Sequence, residues 1–126
     1  MSIRLISLIL FSVSLSAVAQ LLLKIGVGRA NVVGTAAESA PALSRLASML
    51  YSPFVLLGLA TYAVGTIIWL FVLAKSPLSV AYPFVGAGFI MTAALGVLVL
   101  GENLSGLRMF GVVMIALGCA LVARSA

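Results

Sequence analysis

The chain has 126 residues, of which 64% are hydrophobic and only 7% charged. A water-soluble domain of this size carries roughly 25% charged residues to cover its surface, so a soluble fold is excluded. A net charge of +5 would point to nucleic acid in a soluble chain. Here the basic residues stand near the ends of apolar runs, where long cationic side chains reach lipid headgroups. The expected contacts are therefore membrane lipids, with no nucleic acid among the partners.

The chemistry of enzymes is thinly represented. The chain has no histidine, two carboxylates (Glu38 and Glu102) and a single cysteine, Cys119, set between Gly118 and Ala120. The usual metal-ligand and acid–base sets are missing. No enzyme, cofactor or metal is expected.

The apolar residues fall in four blocks, 3–25, 53–74, 80–101 and 107–123. A helix crossing a hydrocarbon core about 30 Å thick needs roughly 20 such residues, and helices leave no backbone group unpaired in lipid. The expected fold class is an all-α integral membrane protein, a four-transmembrane-helix bundle forming one transmembrane domain over residues 1–126.

The first block has features of a secretory signal peptide. Arg4 precedes an apolar run over 5–15, and Ala17-Val18-Ala19 stands before Gln20. The apolar run continues through Leu21, Leu22 and Leu23, which favours a retained helix. Within it Ser12 and Ser16 form a small-xxx-small pair, while Gln20 and Lys24 lie one turn apart on one face. Segment 27–52 is a long connection rich in Ala and Ser. Its Leu43, Leu46 and Leu50 recur at helical spacing beside Ser44, Arg45 and Ser48. That pattern suits an amphipathic helix at the membrane surface, or a plain lead-in to the second span.

The second span places Gly58 and Gly65 on one face and carries Thr61, Tyr62, Thr66 and Trp69. A tight connection, Ser76-Pro77-Leu78-Ser79, leads to the third, which contains Tyr82 and Thr92. There Pro83 removes a backbone donor, and with Gly86 and Gly88 just beyond it marks the expected hinge. A second tight connection, 102–106, puts Glu102 at the membrane surface, capping the turn or pairing with Arg108. The fourth span carries Gly111 and Gly118, seven residues apart and so on one face. Close backbone approach at small residues provides packing energy between helices in lipid, either inside one chain or between two. The Gly111–Gly118 face is the candidate dimer interface.

Four spans put both termini on one side. That side carries Arg4, Lys75 and Arg124, and the other carries Lys24, Arg29, Arg45 and Arg108 with Glu38 and Glu102. Three basic residues against four give no orientation by the positive-inside rule.

Several segments together carry a resemblance. The run Gly111-Val112-Val113-Met114-Ile115-Ala116-Leu117-Gly118 resembles the glycine-bracketed dimerisation helix of the small multidrug resistance transporters. Pro77-Leu78-Ser79-Val80-Ala81-Tyr82 is similar to their third span. Gly101-Glu102-Asn103-Leu104-Ser105, followed by Gly111, looks like the closing signature of the wider drug/metabolite transporter superfamily. Proton-coupled multidrug members carry an embedded Glu in the first helix, and alignment on Lys24 puts Ser16 there. A branch without that Glu, the flippase subunits for undecaprenyl-phosphate-linked aminoarabinose, is also similar. The likeness runs through Ser16-Ala17-Val18-Ala19-Gln20 with Lys24, Trp69-Leu70-Phe71-Val72-Leu73 leading to Pro77, Ala81-Tyr82-Pro83, and Glu102, Ser105, Gly111 and Gly118. The longer first loop and the residues around Arg108 depart from that branch.

The resemblance implies a multi-pass protein of the bacterial inner membrane that moves a polyprenyl-phosphate-linked sugar. It would do so as a homodimer, or as a heterodimer with a similar small subunit. The candidate substrate-binding residues are then Gln20, Lys24, Tyr62, Trp69, Tyr82 and Arg108. Lys24 suits the phosphate as a point charge and equally suits a helix-end anchor. Trp69 and Tyr82 suit a sugar, an interface belt or packing. Two further readings stand: an exporter of small cations or metabolites, and a non-transporting partner of another membrane protein.

Overall fold

A computed structural model describes residues 2–33 and 41–125. Four of its helices are long and apolar enough to cross a membrane: Ile3–Arg29, Pro53–Leu73, Leu78–Leu100 and Gly106–Ser125. The chain is an all-α, multi-pass membrane protein. Part of the 27–52 connection, including Glu38, lies outside the described residues.

Helix α1 runs over Ile3–Val33 and so passes the expected end at residue 25. Its 31 residues span roughly 46 Å, more than the hydrocarbon thickness. Packing against the start of α3 (Pro53–Leu73) carries the helix through Gly26. A Cβ at Gly26 would lie 2.6 Å from Val55 Cγ2 and 2.8 Å from Val55 N, so only glycine lets the two backbones come so close. One turn on, the Arg29 guanidinium stands 4.3 Å from the centre of the Phe54 ring. Between them, α2 (Ala42–Leu50) forms at the amphipathic pattern, with Leu43, Leu46 and Leu50 exposed along one side.

The third span is interrupted rather than uniform. Pro77 precedes a short helix α4 (Leu78–Ala81), which places the start of the span two residues before the expected position 80. Tyr82–Phe84 then form a 3-10 turn where Pro83 cannot donate to the α-helical ladder, and α5 (Val85–Leu100) resumes. Gly101, at φ +66°, adopts the left-handed conformation that ends the helix. Ser105 caps α6 (Gly106–Ser125): its hydroxyl oxygen accepts from the Arg108 N–H at 3.4 Å.

Helix α1 is the centre of the bundle. It packs along α3 on one side and α5 on the other, whereas α6 packs mainly against α5 and the 3-10 turn. Gly58 and Gly65 both face α1, so this pair serves packing within the chain. The buried cluster Ile9, Val13, Val72, Ala81 and Phe84, flanked by Trp69, closes the bundle toward the end of α1 that carries Arg4. No residue of α6 is buried.

Candidate functional site

The first helix supplies a polar stripe at four-residue intervals: Ser12, Ser16, Gln20 and Lys24. Each step drifts about 40° around the helix, so the stripe turns gradually from the protein interior to its surface. Ser12 is buried, and its hydroxyl donates to the Gly65 carbonyl of α3 at 2.9 Å. Lys24, at the other end, is two-thirds exposed.

Between the ends lies a half-open cavity of ≈ 370 Å³, at the lower end of the roughly 300–1,000 Å³ usual for small-molecule clefts. Ser12, Ser16 and Gln20 form one wall, Tyr62, Thr66 and Trp69 of α3 a second, and Tyr82, Phe89 and Thr92 a third. Val13 and Trp69 belong to both this lining and the packed cluster, so that cluster is its floor. Among the described residues no charged side chain lines it.

Its hydrogen-bonding capacity is uneven. The hydroxyls of Ser16, Thr66 and Thr92 donate to carbonyls of their own helices at 3.1, 2.9 and 3.0 Å, which leaves their oxygens as acceptors. Among the described residues the side chains of Gln20, Tyr62, Trp69 and Tyr82 have no hydrogen-bond partner, so the amide, phenols and indole keep their donors for a guest. Trp69 and Tyr82 meet edge to face, ring centres 6.3 Å apart.

A smaller cavity of ≈ 170 Å³ continues from it, sharing Ala17, Gln20 and Thr92 and adding Lys24, Gly96 and Glu102. Lys24 Nζ lies 3.5 Å from Glu102 Oε1. This corrects the expected partner of Glu102: its carboxylate folds back over Gly96 toward α1. Gly96 provides the room, because a Cβ there would stand 3.0 Å from Oε2.

Of the candidate binding residues, the structure brings Gln20, Tyr62, Trp69 and Tyr82 together and puts Lys24 at the mouth. Arg108 lies elsewhere, in a groove between α5 and α6 that Glu102, Asn103 and Gly111 also line. Thr61 is absent from the lining, and its hydroxyl donates to Leu57 O at 2.8 Å. The hinge residues have packing contacts. A Cβ at Gly86 would lie 2.6 Å from Cys119 Sγ, and one at Gly88 3.0 Å from Val13 Cγ1; the Cys119 thiol donates to the Pro83 carbonyl at 3.0 Å. Gly111 and Gly118 face open space. Sequence reasoning missed Ser12 and Glu102 as members of the site. The signals were the unbroken four-residue spacing that joins Ser12 to Lys24, and the opposite charges of Lys24 and Glu102 on one side of the membrane.

Comparison with known proteins finds similarity to a probable 4-amino-4-deoxy-L-arabinose-phosphoundecaprenol flippase subunit, ArnE, of Pseudomonas fluorescens (strain Pf0-1). The two are 33% identical over 73 residues, which is 58% of this chain and 64% of that protein. No family model matches the chain, and no solved structure matches it.

Proposed function

We propose that this chain is a flippase, or a flippase subunit, that moves a polyprenyl-phosphate-linked sugar across the bacterial inner membrane. The observation that carries this reading is the two-part groove. An uncharged chamber of hydroxyl oxygens, free donors and aromatic rings joins, through Gln20 and Thr92, a charged mouth holding Lys24. A sugar suits the chamber, the phosphate bonded to it suits Lys24, and the polyprenyl tail stays in lipid through the open side. Similarity to a flippase subunit for a phosphoundecaprenol-linked sugar points the same way.

The competing reading, export of a small cation, fits the chamber less well. A cation placed there has no carboxylate beside it among the described residues, and a charge without a partner in a low-dielectric site is costly by several kcal/mol.

The packed floor and open mouth correspond to one state of an alternating-access cycle. Reaching the other state requires α4 and α5 to move about the 3-10 turn at Pro83, with Gly86 and Gly88 as the close contacts that shift. One chain leaves the cavity half open, and α6 presents Gly111 and Gly118 with nothing against them. The working unit in this reading is a dimer, with itself or with a similar small subunit, joined along α6.

The test is translocation by purified protein in liposomes, with a fluorescent polyprenyl-phosphate sugar followed by quenching from outside. Protein-dependent loss of the protected fraction is expected. Its absence, for the chain alone and for the chain co-expressed with a similar small subunit from its own genome, refutes the proposal.

A further inference from the structure

We infer that Glu102 is a built-in competitor for the lipid phosphate: it occupies Lys24 while the groove is empty and yields Lys24 to the phosphate ester when the lipid enters. This rests on the reading of Lys24 as the phosphate ligand. Three features of the mouth carry it. The first is the looseness of the pair: at 3.5 Å, with the two side chains 66% and 49% exposed, it is longer than the roughly 2.7–2.9 Å of a tight charge-assisted hydrogen bond. Such exposed pairs hold their partners by a factor of only about two to five. A phosphate, with more acceptor oxygens, displaces a carboxylate held so weakly.

The second feature is that the carboxylate is placed there by the backbone. Left-handed Gly101 turns the chain at the end of α5, and the Glu102 N–H donates to the Gly96 carbonyl at 3.1 Å. The side chain then lies in the space left by the missing Cβ of Gly96. A residue that merely marked the membrane surface would need no such seat. The third is location: Lys24 and Glu102 both line the smaller cavity with Gln20 and Thr92, so the pair stands across the path into the chamber. Arg108, on the far side of Glu102 in the α5–α6 groove, keeps the released carboxylate near a cation.

The experiment measures binding of undecaprenyl phosphate to wild type, Glu102→Gln, Lys24→Ala and the double variant in phosphatidylcholine nanodiscs by native mass spectrometry. Parallel arms use phosphatidylglycerol and inorganic phosphate. Glu102→Gln keeps the side chain's shape, so the fold is retained. It is expected to bind undecaprenyl phosphate roughly two- to fivefold more tightly than wild type, and Lys24→Ala less tightly than either. The double variant is expected to match Lys24→Ala, because with Lys24 gone there is nothing to compete for. An equal gain in the Lys24→Ala background would make Glu102 a general repulsive charge and overturn the inference. No gain in Glu102→Gln, with Lys24→Ala still impaired, would overturn the inference and leave the proposed function standing. No binding of undecaprenyl phosphate by any of the four would overturn both. A gain confined to undecaprenyl phosphate supports the lipid as the source of the phosphate. An equal gain for inorganic phosphate supports the exchange while overturning that choice of lipid.

Discussion

The glycines of α3 and α6 face opposite environments, and the same substitution should therefore separate folding from assembly. At Gly58, an added Cβ would lie 2.9 Å from Leu23 Cγ and 3.1 Å from the Ala19 carbonyl oxygen. Leu23 is a side chain and can adjust, but the Ala19 carbonyl belongs to the backbone of α1, so the helices must part. Overpacking of this kind costs about 1–3 kcal/mol. In lipid the loss is not offset by solvent, since helices there are held by close packing and hydrogen bonds. Gly58→Leu should consequently lower stability by at least that amount, a shift of roughly 5- to 150-fold in the ratio of folded to unfolded protein. Gly118 has nothing within 4 Å of its missing Cβ, so Gly118→Leu should change monomer stability by no more than about 1 kcal/mol in either direction. Its effect should fall on the proposed dimer, where bulk at the helix face separates two chains. Denaturation in detergent, read by the chain's one tryptophan, Trp69, measures the first quantity, because Trp69 packs on the buried cluster. Single-molecule photobleaching in liposomes measures the second. A Gly58→Leu protein as stable as wild type would refute the packing argument. An unchanged dimer fraction in Gly111→Leu/Gly118→Leu would move the interface to another helix.

Three further outcomes are expected. Trp69→Ala removes both a chamber wall and the edge-to-face contact with Tyr82; sugar-lipid binding should fall at least tenfold, while Trp69→Phe should recover part of it, both read by native mass spectrometry. Ser12→Ala removes the buried hydrogen bond to Gly65 and should cost about 0.6 kcal/mol, up to roughly 1.7, in the same denaturation assay. Lys24→Arg should keep much of the phosphate binding that Lys24→Ala loses; equal binding by wild type and Lys24→Ala would remove Lys24 from the site.

The four spans were legible because length and hydropathy alone decide them in lipid: a run of about 20 apolar residues has one stable conformation there. Where they end was less legible. Residues 27–33 read as part of the long connection because the apolar run ends at residue 25, yet the helix continues through Gly26, where α1 packs closely on the start of α3. Tertiary packing overrode propensity, and only the partner's position reveals it. Pro83 signalled a local interruption, which the 3-10 turn realises. The chamber walls Gln20, Tyr62, Trp69 and Tyr82 were legible singly as polar or aromatic residues in apolar helices. Their convergence was not, since it depends on the rotation of α3 about its axis, which is fixed by Gly58 and Gly65 against α1. Arg108 illustrates the converse: it shares a membrane side with Lys24, but α6 carries it into a different groove.

Under the proposed function, the chamber also limits how transport can be driven. Proton exchange requires a group in the transport path that releases its proton when substrate binds. Among the described residues, the side chains lining the chamber include no carboxylate, histidine, lysine or arginine. Ser16 spends its hydroxyl proton on the Ser12 carbonyl at 3.1 Å. Glu102 is at the mouth, against Lys24. With no carboxylate among the described residues lining the chamber, the proposed translocation is expected to run down the gradient of the lipid itself, its direction set by whichever reactions supply and consume that lipid on the two sides. Imposing a pH difference of about two units across liposomes should therefore leave the initial flipping rate within about twofold, and quaternary ammonium cations should not accumulate against that gradient. Proton-driven uptake of such a cation by the purified protein, abolished by Glu102→Gln, would overturn the argument, because it would put the coupling carboxylate at the mouth and make the chamber a cation site.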